Sequence, residues 1–110
     1  MADIKYTKIA LSDLDAIADY IENELFNPIA AYNTVNKIQD SIDNLSTFPL
    51  MGKSLSSVVN INTDYRFLVC GKYLAFYRYE DNTVFIDRII YGKRDYISIL
   101  FGNVLDDNDN

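Results

Sequence analysis

The stretch from Tyr65 to Tyr91 constrains the fold more than any other part of the chain. Three runs rich in aromatic and β-branched residues, Tyr65–Cys70, Tyr73–Tyr79 and Val84–Tyr91, are separated by two short breaks, Gly71-Lys72 and Asp81-Asn82. Two-residue breaks of this kind are hairpin turns, and Gly in the first position suits a type II′ turn. Strands joined so tightly can only pair antiparallel with their neighbours. With two-residue turns, Phe67, Val69, Leu74, Phe76, Phe85 and Ile89 share one face. Leu68, Cys70, Tyr73, Ala75, Tyr77, Val84, Ile86 and Ile90 share the other, with Arg66 and Arg88. A sheet with one wet face alternates apolar and polar residues, and these runs do not. Both faces therefore need a cover, and a one-residue slip in register would exchange them.

The N-terminal half supplies one cover. After a short strand at Ile4–Thr7, Ser12 is the expected N-cap of a helix with Asp13 and Asp15 in its first turn, where carboxylates suit the helix dipole. Leu14, Ile17, Ala18, Ile21 and Leu25 follow at helical spacing, forming an apolar stripe. Asn27-Pro28 closes that helix and opens another, because Asn caps well and Pro is tolerated at the first helical position. Ala31, Val35, Ile38, Ile42 and Leu45 line one seam of the second helix. So short a connection predicts an antiparallel helical hairpin. Thr47-Phe48-Pro49 ends it, Leu50–Asp64 reads as loop, and Lys93–Phe101 is a short closing helix. The fold class is α+β, with strand and helical hairpin packed on an antiparallel sheet. Residues 1–103 form one expected domain and 104–110 an acidic, disordered tail.

Composition removes several chemistries. There is no histidine and only one cysteine, Cys70. Ser–His–Asp and Cys–His systems, an intramolecular disulfide, a cysteine-rich zinc site and a His-ligated metal are thereby excluded, and no cofactor is expected. Acid–base work would fall to Asp, Glu, Tyr or Lys with shifted pKa values. The net charge is −6, unevenly distributed: residues 1–51 carry three basic and eight acidic side chains, residues 52–96 seven basic and five acidic. Global charge argues against avid nucleic-acid binding, while a local basic patch on the second half is allowed. No apolar run reaches the roughly 20 residues of a membrane span. A cytoplasmic protein without membrane contact is expected.

The element order resembles that of the RelE/ParE toxins of bacterial type II toxin–antitoxin systems, and so do the residues. Ala10, Asp13-Leu14, Ile17 and Tyr20-Ile21 resemble the family's first-helix signature. Phe48-Pro49-Leu50-Met51-Gly52-Lys53 resembles its Pro-x-Met-Gly-basic loop. Tyr65-Arg66 with Phe76-Tyr77-Arg78 is similar to its central hairpin, and Arg88-Ile89-Ile90-Tyr91-Gly92-Lys93-Arg94-Asp95 to its closing strand. The resemblance spans roughly residues 3–101 and is closer to the ParE branch.

That branch implies a non-enzymatic poison of DNA gyrase. The RelE branch implies a ribosome-dependent mRNA endonuclease using a cluster of Arg and Lys with a Tyr. Arg94 matches one member of that cluster and Arg66 another. Leu74 and Leu68 stand where further basic residues are kept, and Tyr91 where many relatives have His. If the chain is a ribonuclease, the candidates are Arg66, Arg88, Tyr91 and Arg94. As a binder, its target contacts are Arg66, Arg88, Lys93 and Arg94, since arginine offers a planar fork of donors. The bland alternatives are ion pairs with Asp87, Asp95 or Glu80; Arg78 is assigned to Asp87, diagonally across the hairpin. A third reading, prompted by the acidic balance, is a non-toxic interaction module or decayed toxin. The partners implied are a cognate antitoxin covering an apolar groove and either gyrase or the ribosome with mRNA. The assemblies implied are a homodimer or a toxin–antitoxin heterotetramer.

Overall fold

A computed structural model describes residues 1–102 of the chain; the acidic tail expected at 104–110 lies outside them. The chain runs β1 (Asp3–Tyr6), α1 (Lys8–Asp19), a π-helical turn (Tyr20–Glu24), α2 (Pro28–Asp43), β2 (Lys53–Ser54), β3 (Arg66–Cys70), β4 (Tyr73–Glu80), β5 (Thr83–Tyr91) and α3 (Tyr96–Phe101). The five strands form one sheet in the order β1-β5-β4-β3-β2. Strands β3, β4 and β5 make the expected antiparallel meander. β1 joins its edge parallel to β5, so the sheet is mixed. No helix among the described residues is long and apolar enough to cross a membrane.

Local chemistry accounts for most of the boundaries. Asn27 caps α2 by accepting from the Ala30 N–H at 3.0 Å, with Pro28 behind it. Gly71 turns with φ +63°, as a type II′ hairpin needs, whereas Asp81 and Asn82 both take positive φ, the type I′ pattern. α1 begins earlier than expected. Thr7, not Ser12, is its cap: the Thr7 hydroxyl accepts from the Ala10 N–H and donates to the Asp87 carbonyl, both at 3.1 Å. One side chain thus starts the helix and ties it to β5, a contact 80 residues away that no local pattern announces. α3 starts at Tyr96 rather than Lys93 because Asp95 is its cap, accepting from the Ser98 N–H at 3.3 Å. The expected loop at 50–64 contains β2 and a 3-10 turn, Leu55–Ser57, whose Leu55 is fully buried.

The two faces of the sheet are both covered. Leu14, Ile38, Ile42 and Leu45 of the helical layer pack on Leu68, Cys70, Ala75, Tyr77, Val84 and Ile86. On the opposite face Phe76 and Ile90 pack with Leu55, Phe67, Leu74 and the α3 residues Tyr96, Ile99 and Leu100. The predicted faces hold up to the middle of β5 and then exchange. Ile86 pairs with Tyr77 but Arg88 pairs with Phe76, so Asp87 is an extra residue. This β-bulge re-aims everything after it. Ile89 turns into the helix-side core and Ile90 into the other, the reverse of strict alternation.

Candidate functional site

The bulge at Asp87 positions the first group of charged residues. Arg78 on β4 donates through Nε to Asp87 Oδ2 at 2.5 Å and through Nη2 to Oδ1 at 3.2 Å, and it stacks on the Phe85 ring at 5.0 Å. The Asp87 carboxylate accepting these bonds pushes the Arg78 pKa further up. This is the structural pairing expected from the sequence.

Arg88 has a corresponding partner. β1 ends at Tyr6, so beyond Ile86 the edge of β5 has no neighbouring strand. Asp13 of α1 occupies that edge. Its Oδ2 accepts from the Ile89 N–H at 2.8 Å and from Arg88 Nε at 2.9 Å, and Oδ1 accepts from Arg88 Nη2 at 3.0 Å. The carboxylate thus satisfies a strand N–H that would otherwise lack a partner and neutralises a half-buried guanidinium, whose pKa it raises. Asp13 was expected in a first turn facing solvent. With α1 starting at Lys8, Asp13 lies mid-helix, beside buried Leu14, and its carboxylate meets the open edge of β5.

Arg66 lies at the far end of β3. Its Nη1 donates to the Gly52 carbonyl at 2.7 Å and to the Leu50 carbonyl at 3.4 Å. The same loop is gripped from below by Tyr77, which is fully buried. The Tyr77 hydroxyl donates to the Pro49 carbonyl at 2.8 Å and accepts from the Gly52 N–H at 3.0 Å. Burial raises the phenol's pKa, while the Gly52 hydrogen bond and nearby Arg66 oppose that rise, so the neutral donor–acceptor form persists. A Cβ on Gly52 would lie 2.6 Å from that hydroxyl and 2.7 Å from the Phe67 carbonyl, so only glycine fits. The Pro49–Gly52 loop and the Tyr-Arg pairs of the central hairpin, read from sequence as separate motifs, are two halves of one clamp. The role of Tyr77 was not legible, because a strand tyrosine looks the same whether its hydroxyl is bonded or not.

Tyr91 and Arg94 lie elsewhere. They line a groove of about 1090 Å³ between the helical hairpin and the ends of the central strands, with Lys37, Lys72 and Tyr73. The Tyr91 and Tyr73 rings meet at 5.7 Å, and burial, with Tyr91 and Tyr20 nearby, raises the Tyr73 pKa. The Gly92 N–H donates to the Lys72 carbonyl at 2.9 Å and the Arg94 N–H to the Tyr91 carbonyl at 3.0 Å, fixing the exit of β5. Lys93 and Arg94 are exposed, and among the described residues neither makes an ion pair. Cys70 also lines this groove; burial pushes its thiol up to about 11, so it stays protonated and unreactive near neutral pH.

Arg88 instead faces a smaller recess of about 420 Å³ with Tyr65, Arg78 and Ile99. The four candidates do not meet. Tyr91 and Arg94 share the groove, Arg88 is bound to Asp13, and Arg66 is bound into the loop clamp. The groove is lined mainly by apolar and aromatic side chains, with Lys37, Lys72 and Arg94 and the carboxylates Asp13 and Asp40 among them.

Comparison with known proteins agrees with this architecture. The family model described as ParE toxin of type II toxin–antitoxin system, parDE, matches residues 4–96. Toxin RelE2 of Caulobacter vibrioides is 31% identical over 94 residues, covering 86% of this chain and 99% of the relative. A chain of the chromosomal ParDE system from P. aeruginosa superposes with a TM-score of 0.70 at 28% identity, covering 83% of this chain and 96% of the other. YafQ from E. coli shares the fold, with a TM-score of 0.54 at 16% identity over 93% of this chain and 100% of the other.

Proposed function

Because the chain belongs to the ParE toxin family of type II toxin–antitoxin systems, we propose that it arrests growth by binding DNA gyrase, without chemistry of its own, until a cognate antitoxin neutralises it. One observation carries this choice within the superfamily. Arg66, Arg78 and Arg88 are each committed to a partner within the fold, so these three guanidiniums are not free to gather around a substrate phosphate. A phosphodiester-cleaving site needs cations and a proton-transfer group around one phosphorus atom. Of the four ribonuclease candidates only Tyr91 and Arg94 share a groove, where Lys37 and Lys72 also lie, and no histidine is available as the proton-transfer group.

Lys93 and Arg94 are the candidate target contacts left to face outward. The antitoxin enters the groove as a partly disordered segment that orders on binding, placing apolar side chains between hairpin and sheet and carboxylates beside Lys37, Lys72 and Arg94.

Induced expression with and without the antitoxin gene tests this, reading growth, plasmid topology and mRNA 5′ ends together. The expected result is growth arrest, loss of negative supercoiling and gyrase-linked DNA breaks, with no new mRNA ends. New 5′ ends in translated messages with untouched topology would replace the gyrase reading by a ribosome-dependent endonuclease. Undisturbed growth would make the chain a non-toxic binding module.

A further inference from the structure

The tip of the helical hairpin breaks three local rules at once. First, α1 does not stop but widens into the π-helical turn Tyr20–Glu24, closed by the Leu25 N–H on the Tyr20 carbonyl at 3.2 Å. Single π turns inside helices are costly and collect at functional sites. Second, Phe26 takes a left-handed backbone, φ +52°, and the following Asn27 N–H reaches back to the Ile21 carbonyl at 3.1 Å. Helix ends of this kind strongly favour glycine, because a Cβ is strained there. Third, the strained residue is a large aromatic that packs on little: Phe26 is 87% exposed. Next to it on α2, Ile29 is 74% and Tyr32 70% exposed. Nothing in the fold compensates for an aromatic at that position, which points to selection from outside the chain.

We propose that this tip, centred on Phe26, is a second surface with which the toxin grips its target, besides Lys93 and Arg94, and that the target presents to the tip an apolar cleft rimmed by basic side chains. The inference deepens the gyrase reading and rests on it for the target's class. Charge selects the occupant. From residue 8 to residue 43 the hairpin carries seven carboxylates and two lysines, and of the carboxylates only Asp13 is paired with an arginine. Asp19, Glu22 and Glu24 flank the tip, all exposed. A second copy docked tip to tip would bring Glu22 and Glu24 against their own kind, and an anionic bilayer would repel them. A protein that handles DNA presents Lys and Arg where it holds phosphates, and an acidic hairpin with an aromatic point complements such a surface. The groove proposed for the antitoxin is lined by Leu25 and Ala30 but not by Phe26, Ile29 or Tyr32, so a segment seated in it leaves these three side chains free for another partner.

The test compares the full chain with Phe26→Asn and Ile29→Ser. Asn tolerates a left-handed backbone, so Phe26→Asn keeps or raises the thermal midpoint by a few degrees. Induced without antitoxin, wild type arrests growth and the variants need roughly tenfold more protein or fail to arrest it, while antitoxin binding measured by calorimetry changes less than about twofold. In a supercoiling assay with purified gyrase, wild-type inhibition weakens between 50 and 200 mM salt, and the variants inhibit at least about tenfold less. Variants as toxic as wild type would overturn the inference, as would lost antitoxin binding with toxicity kept, or a midpoint lowered by several degrees in Phe26→Asn. Toxicity lost in the variants while wild type leaves gyrase untouched would support the tip as the target surface and remove gyrase as the target.

Discussion

Tyr77→Phe isolates the clamp under the Pro49–Gly52 loop. The substitution keeps the buried ring and removes only the hydroxyl, which bridges the Pro49 carbonyl at 2.8 Å and the Gly52 N–H at 3.0 Å. The two losses differ. Gly52 is buried, so its N–H finds no water and carries the full penalty of an unsatisfied donor, about 1–3 kcal/mol. Pro49 is half-buried, so its carbonyl can turn to solvent, and the loss there is the net worth of one hydrogen bond, about 0.5–1.5 kcal/mol. Arg66, still bonded to the Gly52 carbonyl, keeps the loop from leaving altogether. The expected destabilisation is therefore about 2–4 kcal/mol, a large share of the roughly 5–15 kcal/mol typical of a domain. Urea unfolding of the toxin freed of antitoxin, followed by far-UV circular dichroism, should show the midpoint falling by about 1–2 M with an unchanged slope. Amide exchange at Gly52 should speed up more than exchange in β4. Tyr79→Phe is the control, because the Tyr79 side chain is exposed and its hydroxyl meets Asn82 only at 3.5 Å. If Tyr77→Phe is no worse than this control, the hydroxyl does not hold the loop and the clamp reasoning is wrong.

Gly52→Ala should cost about 1–3 kcal/mol in the same urea assay, because the new methyl meets the Phe67 carbonyl, a backbone atom that cannot swing away. Combining it with Tyr77→Phe should recover only part of that, since the backbone clash remains; full recovery would show the hydroxyl to be the sole obstacle. Asp13→Asn should destabilise by about 2–3 kcal/mol, leaving a half-buried Arg88 without its charge partner and the Ile89 N–H with a weaker acceptor; a double-mutant cycle with Arg88→Met should show coupling, and additive losses would refute the pairing. Burial raises Tyr6 from 10.0 to about 12 and Cys70 from 9.0 to about 11, so both groups hold their protons longer folded than unfolded. Their contribution is complete below about pH 9 and is lost as pH rises through 12, where unfolding releases protons. Urea midpoints at pH 8, 10 and 11 should fall in that order, and less steeply in Tyr6→Phe; an equal slope in the variant would exclude Tyr6 as a cause.

Everything legible in advance was encoded within a few residues. Asn27-Pro28 caps a helix because the bonds it satisfies are its own neighbours', and Gly71 and Asp81-Asn82 make tight turns because only their backbone angles are at stake. Spacing alone therefore predicted the helical hairpin, the meander and the need to cover both faces of the sheet. The fate of the charged residues was not so encoded. The four candidates carry the same guanidinium or phenol whether they meet a substrate, a carboxylate or a loop carbonyl. Arg88 was settled by Asp13, 75 residues away, which reached it because α1 packs against the edge of β5 that β1 leaves open. The bulge at Asp87 decided which of Ile89 and Ile90 faces the helices, and it set Arg78 across from its partner. Register and long-range polar pairing depend on how whole elements dock, and docking is chosen by the summed burial of the core. No single residue records that choice, so the family and its scaffold could be read from the chain while the allocation of its arginines waited for the folded structure.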